Sequence, residues 1–151
     1  MKHRIQHMKQ CIALGKQAMG NGDSPVGSII VKDNAVIGIG VESGKSSNDV
    51  TKHAEIEAIK DAIANHQSLT DTILYTTHEP CIMCSYVIRH HHIKTVVFGA
   101  KSNFVGGTTS EFKVLETENV PGWKNRPKII AGVLEDECLT LSKIYQSRQN
   151  K

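Results

Sequence analysis

Apolar residues recur along this chain in two rhythms, one near about 3.6 residues and one of about two, the periods of helix and strand. Ile5, Met8, Ile12 and Met19 fall near the helical spacing and predict a helix from Ile5 to Met19, which Gly20-Asn21-Gly22-Asp23 stops. Val26-Gly27-Ser28-Ile29-Ile30-Val31 then reads as a strand. Lys32-Asp33-Asn34-Ala35 is a turn, and Val36-Ile37-Gly38-Ile39-Gly40 is the returning strand of a hairpin. A polar loop from Glu42 to Thr51 leads to a helix from about His53 to Asn65, with Ile56, Ile59 and Ile63 on one face. Thr72 to Thr76 is the next strand, and Pro80 opens a helix reaching about His91. Strands follow at Thr95 to Gly99 and Lys128 to Val133, and a helix from Glu135 to about Arg148 ends the pattern. Hairpin strands followed by strands alternating with helices imply an α/β fold: a three-layer α/β/α sandwich on a mixed five-stranded sheet. A short helix around Glu111 to Leu115 is expected to link the last two strands so that they run parallel.

Composition narrows the picture. With 151 residues and no repeat or linker, one domain over residues 1–151 is the expectation. A 39% hydrophobic and 22% charged content suits a globular chain and excludes an intrinsically disordered one. No run approaches the roughly 20 apolar residues of a membrane helix, and no apolar stretch follows MKHRIQHMKQ, so neither a membrane nor export is expected. The four cysteines are then expected to be reduced, in a cytoplasmic setting. The formal net charge of +3 falls short of a dedicated nucleic-acid binder, and 5% aromatic content offers few stacking platforms. Neither figure excludes contact with RNA.

The candidate chemistry lies in HEPCIMC, residues 78 to 84, where Cys81 and Cys84 stand three positions apart. Residues so spaced share a helix face, so both sulfurs can reach one ion. The partner lies in KHAEIEAIKDAI, residues 52 to 63, where His53 and Glu55 occupy the start of the preceding helix. One nitrogen and two thiolates leave a tetrahedral ion a fourth, open position, as in catalytic zinc sites. The partial positive charge of the helix starts favours the thiolates. Glu55 need not touch the metal; it stands where a carboxylate can take a proton from an activated water and deliver it elsewhere. H-x-E followed by P-C-x-x-C is the signature of zinc-dependent base deaminases, and it stands here as His53-Ala54-Glu55 and Pro80-Cys81-Ile82-Met83-Cys84.

PVGSIIV, HAEIEAI, ILYTTHEPCIMC and VVFGA extend the likeness beyond the motif. From Pro25 to Leu141 the chain resembles the cytidine deaminase-like superfamily, in the branch of bacterial tRNA adenosine deaminases, guanine deaminases and fungal cytosine deaminases. GVLEDECLTL looks most like the tRNA enzymes. The resemblance implies the α/β/α fold, one catalytic zinc per chain, hydrolytic deamination and a homodimer whose partner lines the active site. It also marks a departure. Relatives usually carry a substrate-binding asparagine in the loop before HAE, and that position here is Glu42, which when ionised only accepts hydrogen bonds. A small heterocycle presenting N–H donors, an aminopurine base or nucleoside of guanine or adenine type, is therefore expected ahead of adenosine in tRNA. A non-catalytic zinc-binding subunit is the remaining reading, and an intact Glu55 speaks against it.

Further candidates for substrate contact are Asn48, in a loop that turn chemistry explains equally well, His78 near the pocket mouth, which would bind substrate or merely pack, and Phe104, which with Asn103 and the loop from Val105 to Ser110 would form a pocket wall. Cys11, Cys138, Met8 and Met19 read as core. His90-His91-His92 reads as a solvated helix end, where histidine suits the dipole. Lys143, Arg148 and Lys151 read as solvated charges that RNA could meet.

Overall fold

The computed structural model describes residues 2–66 and 68–150, so the Lys151 reading lies outside the described residues. Five strands form one sheet: β1 (Gly27–Lys32), β2 (Ala35–Val41), β3 (Ile73–His78), β4 (Thr95–Ala100) and β5 (Lys128–Ile130). Their order is β2-β1-β3-β4-β5. β1 pairs antiparallel with β2 and β3, while β3 with β4 and β4 with β5 run parallel, which makes the sheet mixed. The helices are α1 (Lys2–Gly20), α2 (Gly44–Ser47), α3 (Ala54–Ile63), α4 (Ile82–His90) and α5 (Glu135–Gln149).

Strand alternation sorts side chains to two cores. Ile30, Leu74, Val96 and Phe98 face α3 and α4, where Ala58, Ile59, Ala62 and Ile88 meet them. Ile29, Val31, Tyr75 and Val97 face α1 and α5, against Met8, Cys11, Ile12, Cys138 and Leu141. The fold is thus the three-layer sandwich. Asp33 and Asn34, both at positive φ, make the hairpin turn, a conformation these residues tolerate better than most. Cys11 and Cys138 are buried, as is Met8, and Met19 packs at the core's edge.

Three expectations need correction. The face of α3 turned to the sheet is Ala54, Ala58, Ile59 and Ala62; Ile63 is exposed and Ile56 only half-buried. No helix forms at 111–115. Arg89 reaches from α4 and takes the carbonyls of Val114 and Thr117, at 3.0 and 2.9 Å, as acceptors, and Leu115 alone is buried there. β5 also stops at Ile130 rather than Val133, because Gly132 and Leu134 adopt positive φ and turn the chain into α5.

The alanine face matters because β2 meets it with glycine. A β-carbon at Gly40 would collide with the Ala54 carbonyl and stand 2.5 Å from the Ala58 nitrogen. That contact seats the start of α3, and with it His53 and Glu55, against the sheet. Gly40→Ala is expected to cost about 1–3 kcal/mol, as overpacking does, seen as a lowered Tm in thermal unfolding. An unchanged Tm would show that α3 is not seated by this contact.

Candidate metal centre and active site

His53 is the N-cap residue of α3 and Cys81 that of α4, both with extended backbone, and Cys84 lies in the first turn of α4. The two helix starts converge at one end of the sheet. His53 Nδ1 lies 3.4 Å from Cys81 Sγ and 3.4 Å from Cys84 Sγ. All three donor atoms fall within 4.8 Å of one another, and no other such trio of potential ligands occurs among the described residues. His90, His91 and His92 form no such group; His91 caps α4 and His92 turns the chain away at positive φ.

The trio fits zinc. Bonds of about 2.0–2.3 Å at tetrahedral angles place N and S ligand atoms roughly 3.5 Å apart. Proton sharing agrees. The bond donated by Cys84 pulls the Cys81 thiol down to about 4, and that same bond, then burial, pushes Cys84 far above the usual thiol range. His53 rises to about 9, chiefly through its bond with Cys81. Donor atoms crowded around shared protons are what one cation replaces when it binds and displaces those protons.

Glu55 is buried on α3, 4% exposed, and burial raises its carboxyl to about 8. A carboxyl held near neutrality can take and return a proton at little cost. It faces a cavity of about 270 Å³ that Glu42, His53, His78, Glu79 and Cys81 also line. That is slightly below the range of drug-sized sites, roughly 300–1,000 Å³, and suits one heterocycle.

Of the other predicted contacts, Glu42 and His78 reach this cavity, and Asn48 and Phe104 are not in its lining. Glu42 is 9% exposed; its carboxylate accepts the Gly44 N–H at 3.0 Å, and burial raises its pKa. His78 is held between Thr77 Oγ1, 3.0 Å from Nδ1, and Ser142 Oγ of α5, 2.5 Å from Nε2. Burial lowers His78 to about 4, so it is neutral at pH 7. Asn48 sits outside as the left-handed C-cap of α2, sharing only an outer hollow with Glu42 and His53. Phe104 is 86% exposed at the tip of a turn closed by the Gly106 N–H to the Ser102 carbonyl; Val105 lines the cavity as expected, with Ser102 in place of Phe104.

Besides Ser102, sequence reasoning missed Ser142 and Glu79. Ser142 gave no signal, lying 64 residues from the histidine it holds. Glu79 was in view, beside Pro80, but passed as part of the cysteine motif.

A family described as "Cytidine and deoxycytidylate deaminase zinc-binding region" matches residues 1–100. The chain belongs to this family. The deaminase is 30% identical to the tRNA-specific adenosine deaminase of Streptococcus pyogenes serotype M18 (strain MGAS8232), over 100% of this chain and 96% of that one. It is 36% identical to the tRNA-specific adenosine deaminase of Aquifex aeolicus (strain VF5), over 95% of this chain and 94% of that one. A solved structure from work on A-to-I editing by tRNA:A34 deaminases at the wobble position superposes with a TM-score of 0.82 at 28% identity, covering 90% of this chain and 98% of that chain. The deaminase is thus a zinc-dependent hydrolytic enzyme of the cytidine deaminase-like fold. No helix among its described residues is long and apolar enough to cross a membrane.

Proposed function

We propose that this deaminase converts adenosine in tRNA to inosine, using one zinc per chain held by His53, Cys81 and Cys84. The observation that carries this reading is the sequence likeness to tRNA-specific adenosine deaminases, 30% and 36% identical over 100% and 95% of the chain. This reverses the order expected from Glu42 alone. The placement of α5 supports it: Ser142 touches His78 on the cavity wall, and Gln149 accepts a bond from Lys45 beside the outer hollow. Lys45 lines that outer hollow, and Lys143 and Arg148 are exposed on α5, where phosphates can meet them. A cytoplasmic homodimer completes the proposal; light scattering of the purified protein at twice the chain mass supports the dimer, and a monomer removes it.

A zinc ion in this ligand set supplies Lewis acidity and a water acidified to a pKa of roughly 7. Glu55 does the proton work. Its carboxylate takes one proton of the attacking water and passes it to the ring nitrogen beside the amino-bearing carbon, while the water oxygen bonds to that carbon. It then takes the proton left on that oxygen and gives it to the amine, which departs as ammonia as the C–N bond breaks and the C=O bond forms. His53, Cys81 and Cys84 would hold the ion beside Glu55.

One observation favours a second reading, release of ammonia from a free aminopurine. Glu42 places a carboxyl in the cavity where a ring N–H could be bound. Parallel assays on unmodified tRNA and on free bases and nucleosides separate the two. Inosine in tRNA without ammonia from any free compound is expected; ammonia from a free aminopurine with unaltered tRNA would replace the first reading by the second. Glu42→Asn should then raise activity on tRNA if adenosine needs a donor there, and lower it on an aminopurine.

A further inference from the structure

Glu79 is 2% exposed, yet it belongs to neither the ligand trio nor the proton path. Its carboxylate gathers the loop across the cavity. Oε1 accepts the Ser102 N–H at 3.0 Å and the Thr109 hydroxyl at 2.5 Å. Oε2 accepts the N–H groups of Thr108 and Thr109, at 2.9 and 2.7 Å. The Ser102 hydroxyl in turn donates to the Glu79 carbonyl at 2.8 Å. Gly106 lies flat against the carboxylate, and a β-carbon there would overlap it. The next residue, Gly107, donates its N–H to the Pro80 carbonyl at 2.9 Å. These bonds tie the loop to the chain just before Cys81. The loop gives the cavity Ser102 and Val105, which line it together with Glu42 and Glu55.

Four donors on one buried carboxylate far exceed what seating a helix start requires. We propose that Glu79 is a positioning residue for substrate selection: it fixes the Ser102–Ser110 wall at a set distance from the ligand-bearing start of α4, and so fixes the width of the cavity. An acid serves where an amide cannot, because three of the four partners are N–H groups that only donate; a glutamine would turn its NH2 toward at least one of them. The wall acts on substrate binding, while Glu55 and the ligand trio carry the chemistry.

The test is Glu79→Gln in the full-length, zinc-loaded protein, with Thr109→Val as a milder variant that removes one donor. Amide hydrogen exchange at Ser102, Thr108 and Thr109 should quicken at least about tenfold in Glu79→Gln, the scale of one lost charge-assisted bond, with zinc content by elemental analysis unchanged. On whichever substrate the parallel assays identify, KM should rise about tenfold or more with kcat within about threefold. Thr109→Val should shift both readouts the same way by less. Unchanged exchange at these amides in a folded variant overturns the proposal, as does quickened exchange with an unaltered KM, which would leave Glu79 a structural residue only. If Glu79→Gln does not fold, an unaltered KM in Thr109→Val has the same force. The exchange readout needs no substrate. Failure of the tRNA reading therefore leaves this inference standing, and its own failure leaves that reading untouched.

Discussion

Glu55→Gln protein will fold, keep its zinc and lose at least about 10²-fold in turnover. The side chain changes by one heavy atom, and the pocket around it, 4% exposed, still receives a group of the same shape. What disappears is the ability to hold a proton. An amide can hydrogen-bond the attacking water, but it cannot carry one of its protons to the ring nitrogen and the other to the leaving amine. Positioned acid–base groups contribute roughly 10²–10⁴-fold, and here one group serves both transfers, so the loss should reach at least the lower bound. Steady-state kinetics beside elemental analysis check it. Near wild-type turnover in zinc-replete Glu55→Gln would show that another group carries the proton.

The second large effect is expected at Cys84. Unlike Cys81 it is fully buried, in the first turn of α4, with its sulfur 3.4 Å from His53 Nδ1. Cys84→Ala leaves one nitrogen and one sulfur, too few to hold the ion firmly, and opens a small void where water cannot substitute well. Zinc affinity should drop by more than the about 10–100-fold that follows loss of an outer partner, and activity should vanish with it. The unmodified protein, stabilised by an ion that binds only its folded form, should show a Tm that falls on chelation; Cys84→Ala protein should start from that lower value and not respond. Full zinc in Cys84→Ala would disprove the ligand set.

How far the sequence alone reached depended on what each residue's neighbours were. His53, Glu55, Cys81 and Cys84 were legible because their spacing is local and two helix starts are easily recognised. The hairpin and the mixed five-stranded sheet followed from the turn at Asp33-Asn34 and from strands alternating with helices. The face of α3 was misread because large apolar residues stand out in a pattern, whereas this helix is seated by Ala54, Ala58 and Ala62 against Gly38 and Gly40. Small against small is a tertiary match, and neither partner announces it. The helix expected at 111–115 failed for a related reason: a guanidinium from α4 claims the carbonyls, and nothing within those residues reveals that. Phe104 stood beside wall residues in sequence, yet the turn at Ser102–Gly106 sends it outward. Asn48 resembled a substrate amide, and the structure gives its left-handed backbone the role of ending α2. Glu42 was legible as a departure, but weighing one altered contact above the reach of the whole-chain likeness set the substrate order the wrong way for the reading proposed here.

The most direct measurement combines substrate and chemistry in one experiment. Purified zinc-loaded protein is incubated with unmodified tRNA in water enriched in heavy oxygen, and the nucleosides are then analysed by mass spectrometry while ammonia is counted in the same sample. Hydrolytic deamination in tRNA predicts inosine carrying the heavy oxygen, one ammonia for each inosine formed, and neither with Glu55→Gln. Unaltered adenosine in tRNA, from protein that releases ammonia from a free base, would contradict the assignment.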